Sequence, residues 1–170
     1  MNKSEFVKNC LENRREDRAV MANLRRGLGK KPGTAIEMLP YICPYLGEKK
    51  AANDAKFIIA SLFAWHPEPT NKGNMGDHFR RIKMAFNDSD SIELRFQALL
   101  NAHDDSLPYH LRQAVSLAKA KDIPINYHQL YDDIIRWGHQ DKYIQQRWAN
   151  SFWAYQADTE ENQNSNEQGE

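Results

Sequence analysis

Hydrophobic side chains recur along almost the whole chain at spacings of three and four residues, which is the period of one face of an α-helix. The clearest case lies near residues 49–65, where Ala55, Ile59 and Leu62 fall on one stripe. No stretch alternates between apolar and polar residues with the period of two that a half-buried β-strand shows. The pattern therefore predicts an all-α protein, folded as a compact bundle of about eight helices.

The predicted helices are separated by residues that favour turns. They span roughly residues 3–13, 17–28, 49–65, 77–86, 91–103, 107–120, 126–137 and 144–155, with short helical turns at 34–48. Asn126 with Gln129, and Asp90 with Glu93, have spacings that predict caps at the starts of two helices. The segment 66–76 is rich in loop-forming residues and poor in apolar ones, so we expect a mobile surface loop there.

The length and the distribution of apolar residues limit the class of protein. A chain of 170 residues is ordinarily one domain. No run approaches the roughly 18 apolar residues that span a bilayer, and the first residues lack the apolar stretch of a secretory signal. We therefore expect a cytoplasmic protein with no membrane partner. In that compartment Cys10 and Cys43 are expected to be buried thiols rather than a disulfide.

The net charge of zero conceals an uneven distribution along the chain. Residues 157–170 contain five acidic side chains and no Lys or Arg, which leaves residues 1–156 with 23 basic against 18 acidic side chains, a net charge of +5. We predict a helical domain at 1–156 and a disordered acidic tail at 157–170, because the tail has almost no apolar side chain to bury. A basic body favours an anionic partner.

The sequence contains no motif that would bring catalytic groups together. There is no HExxH or CxxC pair, no phosphate-binding glycine loop and no GxSxG elbow, and the six histidines are scattered. His128 and Asp132 are four residues apart and could supply two metal ligands, but no third or fourth ligand is evident. We therefore expect a non-catalytic protein that needs neither a metal nor another cofactor.

The basic residues near the N-terminus follow the geometry of a helix surface. Arg18 and Arg25 are seven residues apart, about two turns, so they project from one side, and Arg26 lies about 100° further round. Lys30 and Lys31 continue the charge into the following loop. The nine residues predicted to bind nucleic acid are Arg18, Arg25, Arg26, Lys30, Lys31, Arg80, Arg112, Lys119 and Lys121.

A plainer interpretation of the same helix is a solvated face with salt bridges to Glu12, Glu16 or Asp17. The tryptophans raise a similar choice between base stacking and packing. Trp137 and Trp148 fit buried stripes and are predicted to lie in the core. Trp153 could belong to either class.

Two regions carry a resemblance to a known family. The first is DRAVMANLRRGLGK, which starts at Asp17; the second starts at Leu107 with LPYHLRQAVSLAKAKDIPINYHQLYDDIIRWGHQDKYIQQRWANSFW. Their order, with a proline-containing segment and a long apolar helix between them, resembles the CasB family of small subunits of the type I-E CRISPR Cascade complex over about residues 5–155. Tyr127 stands where that family often has Trp, and the acidic tail lies outside the pattern.

The resemblance implies an all-helical subunit without nuclease activity, present as a pair in an RNA-guided complex and touching its backbone and large subunits. The implied nucleic-acid partners are crRNA and target DNA, whose strands the basic surface would help to hold in the R-loop. The Leu-Arg-Arg step then points to Arg25 and Arg26, and the Leu-Arg step to Arg112. The other six residues of the predicted site rest on charge placement alone.

Two other classes of function remain open at this stage. Helices near 91–120 could be interpreted as a helix-turn-helix of a DNA-binding transcription regulator, although no short glycine-containing turn joins them. A small helical enzyme or adaptor that binds no nucleic acid is the other alternative.

Overall fold

The computed structural model describes residues 4–154, and the regular secondary structure in that range is helical, which confirms the all-α prediction. The α-helices are α1 (Arg18–Arg25), α2 (Leu39–Ile42), α3 (Lys50–Trp65), α4 (Met75–Ala85), α5 (Asp90–Leu100), α6 (Leu107–Ala120), α7 (Tyr127–Ile135) and α8 (143–154). A π-helix (Val7–Leu11) and a 3-10 turn (Glu12–Arg14) precede α1, and two 3-10 turns, Ile36–Met38 and Cys43–Tyr45, flank α2.

Helix α3 is the centre of the bundle, as its apolar content predicts. Every residue from Phe57 to Ala64 is buried, because the helix is covered by α1, α6 and α7 and by the π-helix. Helices α4, α5 and α6 pack against one another beside it. Helix α8 closes this second group, since Phe152 stacks on Phe96 of α5 with ring centroids 4.5 Å apart.

Three tryptophans lie in or near helix α8 and differ in burial. Trp148 and Trp137 are both buried, and their ring centroids lie 4.9 Å apart, which confirms the predicted packing role of both residues. Trp153 is half-buried, and its Nε1 donates a hydrogen bond to Glu93 at 3.1 Å. The indole N–H of Trp153 therefore binds a side chain of the protein itself.

Side-chain caps define the starts of several helices, though not all those predicted. Asn126 accepts a hydrogen bond from the Gln129 amide at 3.1 Å, as expected. The predicted capping box at Asp90 is wrong, because the Glu93 carboxylate is instead bound by Lys83 Nζ and the Trp153 indole. A capping box does form at Asn74, at the start of α4.

The segment 66–76, predicted to be a mobile surface loop, is instead anchored to the protein at several points. His66 is buried and its Nε2 lies 2.8 Å from the Ile123 carbonyl oxygen. Glu68 and Thr70 exchange backbone hydrogen bonds with Ile125, and the Tyr127 hydroxyl donates to the His66 carbonyl at 2.6 Å. Glu68 and residues 71–73 are exposed and the other residues of the segment are buried or half-buried, so this segment is a fixed connection between α3 and α4.

The two cysteines occupy different environments. Cys10 is buried, as predicted; its thiol donates to the Tyr41 carbonyl oxygen at 3.4 Å, and burial raises its pKa to about 11. Cys43 is exposed, so the prediction of a buried thiol is wrong there. The reason is local, since Cys43 opens a 3-10 turn at the surface.

Two predictions concern the ends of the chain and the membrane. The acidic tail predicted at 157–170 lies outside the described residues. Between residues 4 and 154, no helix has the length and apolar content needed to cross a bilayer.

Candidate nucleic-acid interface

Helix α1 separates an apolar face from a basic one. Asp17 caps its first turn by accepting hydrogen bonds from the amides of Ala19 and Val20, each at 3.1 Å. The apolar stripe of Val20, Met21 and Leu24 is buried against the core. The remaining face is open to solvent and carries Arg18, Arg25 and Arg26, with Arg18 and Arg25 about 10 Å apart along the axis.

The loop after α1 extends this basic face. Lys30 and Lys31 are exposed in a turn that is built on Gly29, with φ of +72°, and Gly33, with φ of +81°. Residues other than glycine rarely adopt this left-handed backbone conformation, so the two glycines determine the path of the loop. We refer to Arg18, Arg25, Arg26, Lys30 and Lys31 as the basic ridge.

The structure brings Arg112 to this ridge from a helix that is distant in sequence. A Cβ atom built on Gly29 would lie 3.1 Å from Cδ and 3.3 Å from Nη1 of Arg112. The Arg112 side chain on α6 therefore lies directly against the loop that carries Lys30 and Lys31. The two sequence regions that carry the family resemblance thus meet at one place in the fold.

The ridge is not neutralised by the acids that the plainer interpretation invoked. Glu12 lies 3.0 Å from Nε2 of His128, Asp17 caps α1, and Glu16 lies 3.9 Å from Arg15. Within residues 4–154, no ridge residue has a carboxylate oxygen within 4 Å. The ridge is therefore not an ion-paired helix face in the described part of the chain. Its five positive charges face solvent.

Two predicted residues lie at the far end of α6 and contact aromatic rings. Lys119 Nζ donates to the Trp65 carbonyl oxygen at 2.7 Å and lies 4.6 Å from the centre of the Trp65 ring. It therefore caps the C-terminal end of α3, where a cation is favourable. Lys121 Nζ lies 4.6 Å from the centre of the Phe86 ring. Both lysines remain exposed but are separate from the ridge.

Arg80 occupies a packing position rather than an open surface. Its side chain is only 16% exposed, Nη1 donates to the Ser151 carbonyl oxygen at 3.2 Å, and the same nitrogen lies 3.6 Å from Asp77. These contacts join α4 to α8. The charge pattern alone placed Arg80 with the surface residues, because the helix that covers it is 71 residues away in sequence.

One groove is lined by Lys30 and Lys31 of the ridge, and a second is lined by Arg112. The larger has a volume of about 1010 Å³ and runs from Lys30 and Lys31 past the start of α3 to the C-terminal end of α7. The smaller, of about 330 Å³, lies between α5 and α6 and includes Arg112. Arg95 and Tyr109 line the smaller groove and were not selected from the sequence. Arg95 is isolated in the sequence, and only the packing of α5 on α6 places it near Arg112.

The described part of the chain offers no metal centre. Among residues 4–154 there is no group of three or more His, Cys, Asp or Glu side chains arranged to hold a metal ion. His128, one of the two candidate ligands considered from the sequence, is buried and bound to Glu12.

Comparisons with known proteins identify the family and the fold. The profile of the family described as CRISPR-associated protein Cse2 matches residues 20–153. The chain is 32% identical over 152 residues to the CRISPR-associated protein Cse2 of Thermus thermophilus, which covers 84% of this chain and 83% of that protein. The crystal structure of CasB from M. ruber is similar with a TM-score of 0.77 at 28% identity, covering 93% of this chain and 96% of that one.

A chain of a CRISPR RNA-guided surveillance complex has the same fold, with a TM-score of 0.72 at 23% identity, over 86% of this chain and 88% of that one. Profile, sequence and fold thus agree with the resemblance carried by the two motif regions.

Proposed function

This chain belongs to the CRISPR-associated Cse2 family, and from that premise we propose that it is a non-catalytic subunit of an RNA-guided Cascade complex. In this proposal its basic face holds single strands of crRNA or target DNA through their phosphates. The observation that carries the proposal is the basic ridge, whose five cations are exposed and have no carboxylate partner within residues 4–154. Arg112 adds a sixth cation beside Gly29.

The arrangement suits backbone binding rather than base reading. Phosphates lie at a regular spacing along a strand and attract a row of cations whatever the sequence, whereas base-edge contacts need hydrogen-bonding side chains at fixed positions in a groove. In RNA-guided complexes the sequence is read by guide pairing, and the protein contributes contacts to the backbone. The ridge supplies that second contribution.

The remaining partners follow from the family. The surveillance-complex chain with the same fold supports other Cascade subunits as protein partners, and a second copy of this chain is proposed as a neighbour. Lys119 and Lys121 are proposed as outlying phosphate contacts. Arg80 is left out of the proposed binding set because its guanidinium already joins α4 to α8.

The proposal is tested with the double variant Arg25→Ala, Arg26→Ala. If each arginine neutralises one phosphate of a single strand, the slope of log K against log salt should become shallower by about 1.4, at about 0.7 for each contact. The measurement is a salt titration of binding to a single-stranded oligonucleotide, with melting curves to check the fold. The loss should be the same for every oligonucleotide sequence.

The matched control is Lys72→Ala, Lys142→Ala. It removes the same charge from exposed positions that line neither groove, so its slope should stay close to that of the wild type. An unchanged slope in the arginine variant would remove both arginines from the binding surface. A sequence-specific footprint on duplex DNA would instead favour a transcription regulator.

The position of Arg112 is tested with Gly29→Ala. The new Cβ would press on the Arg112 side chain, and the left-handed backbone should cost about 1 kcal/mol of unfolding free energy. Gly33→Ala has the same backbone cost, but its Cβ meets only the Phe57 ring at 3.8 Å. Both variants should therefore melt earlier, and only Gly29→Ala should weaken single-strand binding. Equal affinities for the two variants would show that Arg112 does not act from this position.

A further inference from the structure

Tyr109 is a large aromatic side chain that the fold leaves in water. It lies in the first turn of α6, and 56% of its surface is exposed, whereas Trp137, Trp148 and Phe152 are buried. Within residues 4–154, Tyr109 is also the one residue that lines both grooves. An exposed ring at the border of two grooves is a surface that a planar ligand can cover.

The ring is held in place before any ligand arrives. Gln113 Nε2, one turn further along α6, donates a hydrogen bond to the Tyr109 hydroxyl at 2.7 Å. The His110 ring lies nearly perpendicular to it, with centroids 5.3 Å apart. A ring fixed in this way loses less conformational entropy on binding than a freely rotating one.

Positive charge lies on both sides of the ring. The larger groove has Lys30 and Lys31, and the smaller has Arg95 and Arg112. No carboxylate lines the smaller groove, whose other residues are Gln113, Ser116 and Leu117. The larger groove is also lined by Asp54, which pairs with Lys50, and by Asp104 and Asp105. The cations on the two sides of Tyr109 therefore favour an extended anion that lies along Lys30, Lys31 and the smaller groove, and the ring between them favours one with a planar face.

We propose that Tyr109 is a stacking platform for one base of a single-stranded nucleic acid, and that Arg95 and Arg112 hold the phosphates beside that base. Single strands are bound elsewhere by this combination of a basic groove and aromatic rings, each stacked base being worth about 1–3 kcal/mol. The strand then runs from the basic ridge over Tyr109 into the smaller groove. This inference rests on the proposed function and adds a contact to the base.

The test compares a dT oligonucleotide with an abasic oligonucleotide of the same length, which keeps the phosphates and lacks the bases. Tyr109→Ala should weaken dT binding by about 5- to 150-fold, the equivalent of one lost stack. It should leave the salt slope and the affinity for the abasic strand unchanged. Tyr109→Phe keeps the ring but loses the hydrogen bond from Gln113, so it should bind dT more tightly than Tyr109→Ala and slightly more weakly than the wild type.

Two further variants complete the test. Tyr143→Ala removes another exposed tyrosine, one that lines neither groove, and should change nothing. Arg95→Ala should make the salt slope shallower by about 0.7, because it removes one phosphate contact without removing a ring.

The outcomes separate this inference from the proposed function. If Tyr109→Ala loses dT and abasic binding equally, or loses neither, the stacking role is overturned. The proposed function would still stand if the Arg25→Ala, Arg26→Ala variant changes the salt slope. Weakened binding of a polyglutamate peptide, with dT binding unchanged, would overturn the stacking role in favour of an acidic protein partner. If the wild type binds no strand at low salt, the proposed function fails, and this inference fails with it.

Discussion

Trp148→Ala is expected to lower the free energy of unfolding by about 3–5 kcal/mol, the range for a large aromatic removed from a packed core. Trp148 is fully buried on α8, and its ring packs against Trp137 with centroids 4.9 Å apart. Truncation to Ala would leave a cavity that α4 and α7 cannot fill without moving. Chemical denaturation measures the loss directly.

The same side chain also satisfies a buried carboxylate. Trp148 Nε1 donates to Asp133 Oδ2 at 2.7 Å, while Gln129 Nε2 at 2.8 Å and the Arg147 guanidinium bind Oδ1. Burial raises the pKa of Asp133, and the hydrogen bonds from Trp148 and Gln129 oppose that shift. Removal of the indole would therefore leave a buried oxygen without its donor, which adds to the cost of the cavity.

Two control variants separate the contributions of packing and hydrogen bonding. Trp153→Ala changes the same residue type on the same helix at a half-buried position, so it should cost less than Trp148→Ala. Trp148→Phe keeps a ring in the core but lacks the N–H group, and should cost about 1–3 kcal/mol. A Trp148→Ala protein that melts with the wild type and loses single-strand affinity would contradict burial and favour a stacking role.

Gly76→Ala should destabilise the protein by about 3 kcal/mol, at the upper end of the range for overpacking. A Cβ at Gly76 would lie 2.8 Å from the Trp148 carbonyl carbon, closer still to its oxygen, and 3.0 Å from Ser151 Cβ. Two of these atoms belong to the backbone of α8, so no side chain can rotate away. Helices α4 and α8 would have to separate, and Arg80 would lose its reach to Ser151.

The control for this variant is Gly47→Ala, because a Cβ at Gly47 would meet nothing within 4 Å and its φ is not positive. That change should leave stability equal or slightly higher, since alanine restricts the unfolded chain more than glycine does. If denaturation gives the two variants the same midpoint, the close approach of α4 to α8 does not limit stability.

Helical periodicity was sufficient to predict the main apolar stripes that form the core. It placed α3 at the centre and Trp137 and Trp148 in the core, because a stripe of apolar side chains must be covered by something. It does not say by which helix. Arg80 was therefore assigned to the surface, although α8 covers it, and Arg95 was not connected with Arg112 across the contact between α5 and α6.

Backbone contacts and the local exposure of single residues were the other features that the sequence did not predict. The anchored segment 66–76 has few apolar side chains and is held largely through main-chain groups of residues 123–125, which leave no pattern in the sequence. Cysteine is a residue type that is usually buried, but Cys43 begins a turn at the surface. The ridge, by contrast, lies within one helix and its loop, so spacing alone located it, and the position of Arg112 beside it could be known only from the fold.

The anchoring of segment 66–76 to residues 123–127 has a kinetic consequence. The Tyr127 hydroxyl and the His66 carbonyl are 61 residues apart in the chain, so their contact closes a long loop, whereas the turns of α4, α5 and α6 between them form from neighbours. Closure of such a loop carries an entropic cost that local helix formation does not. The connection between α3 and α4 should therefore become ordered late in folding. Helices α4, α5 and α6 should form before it docks on the start of α7.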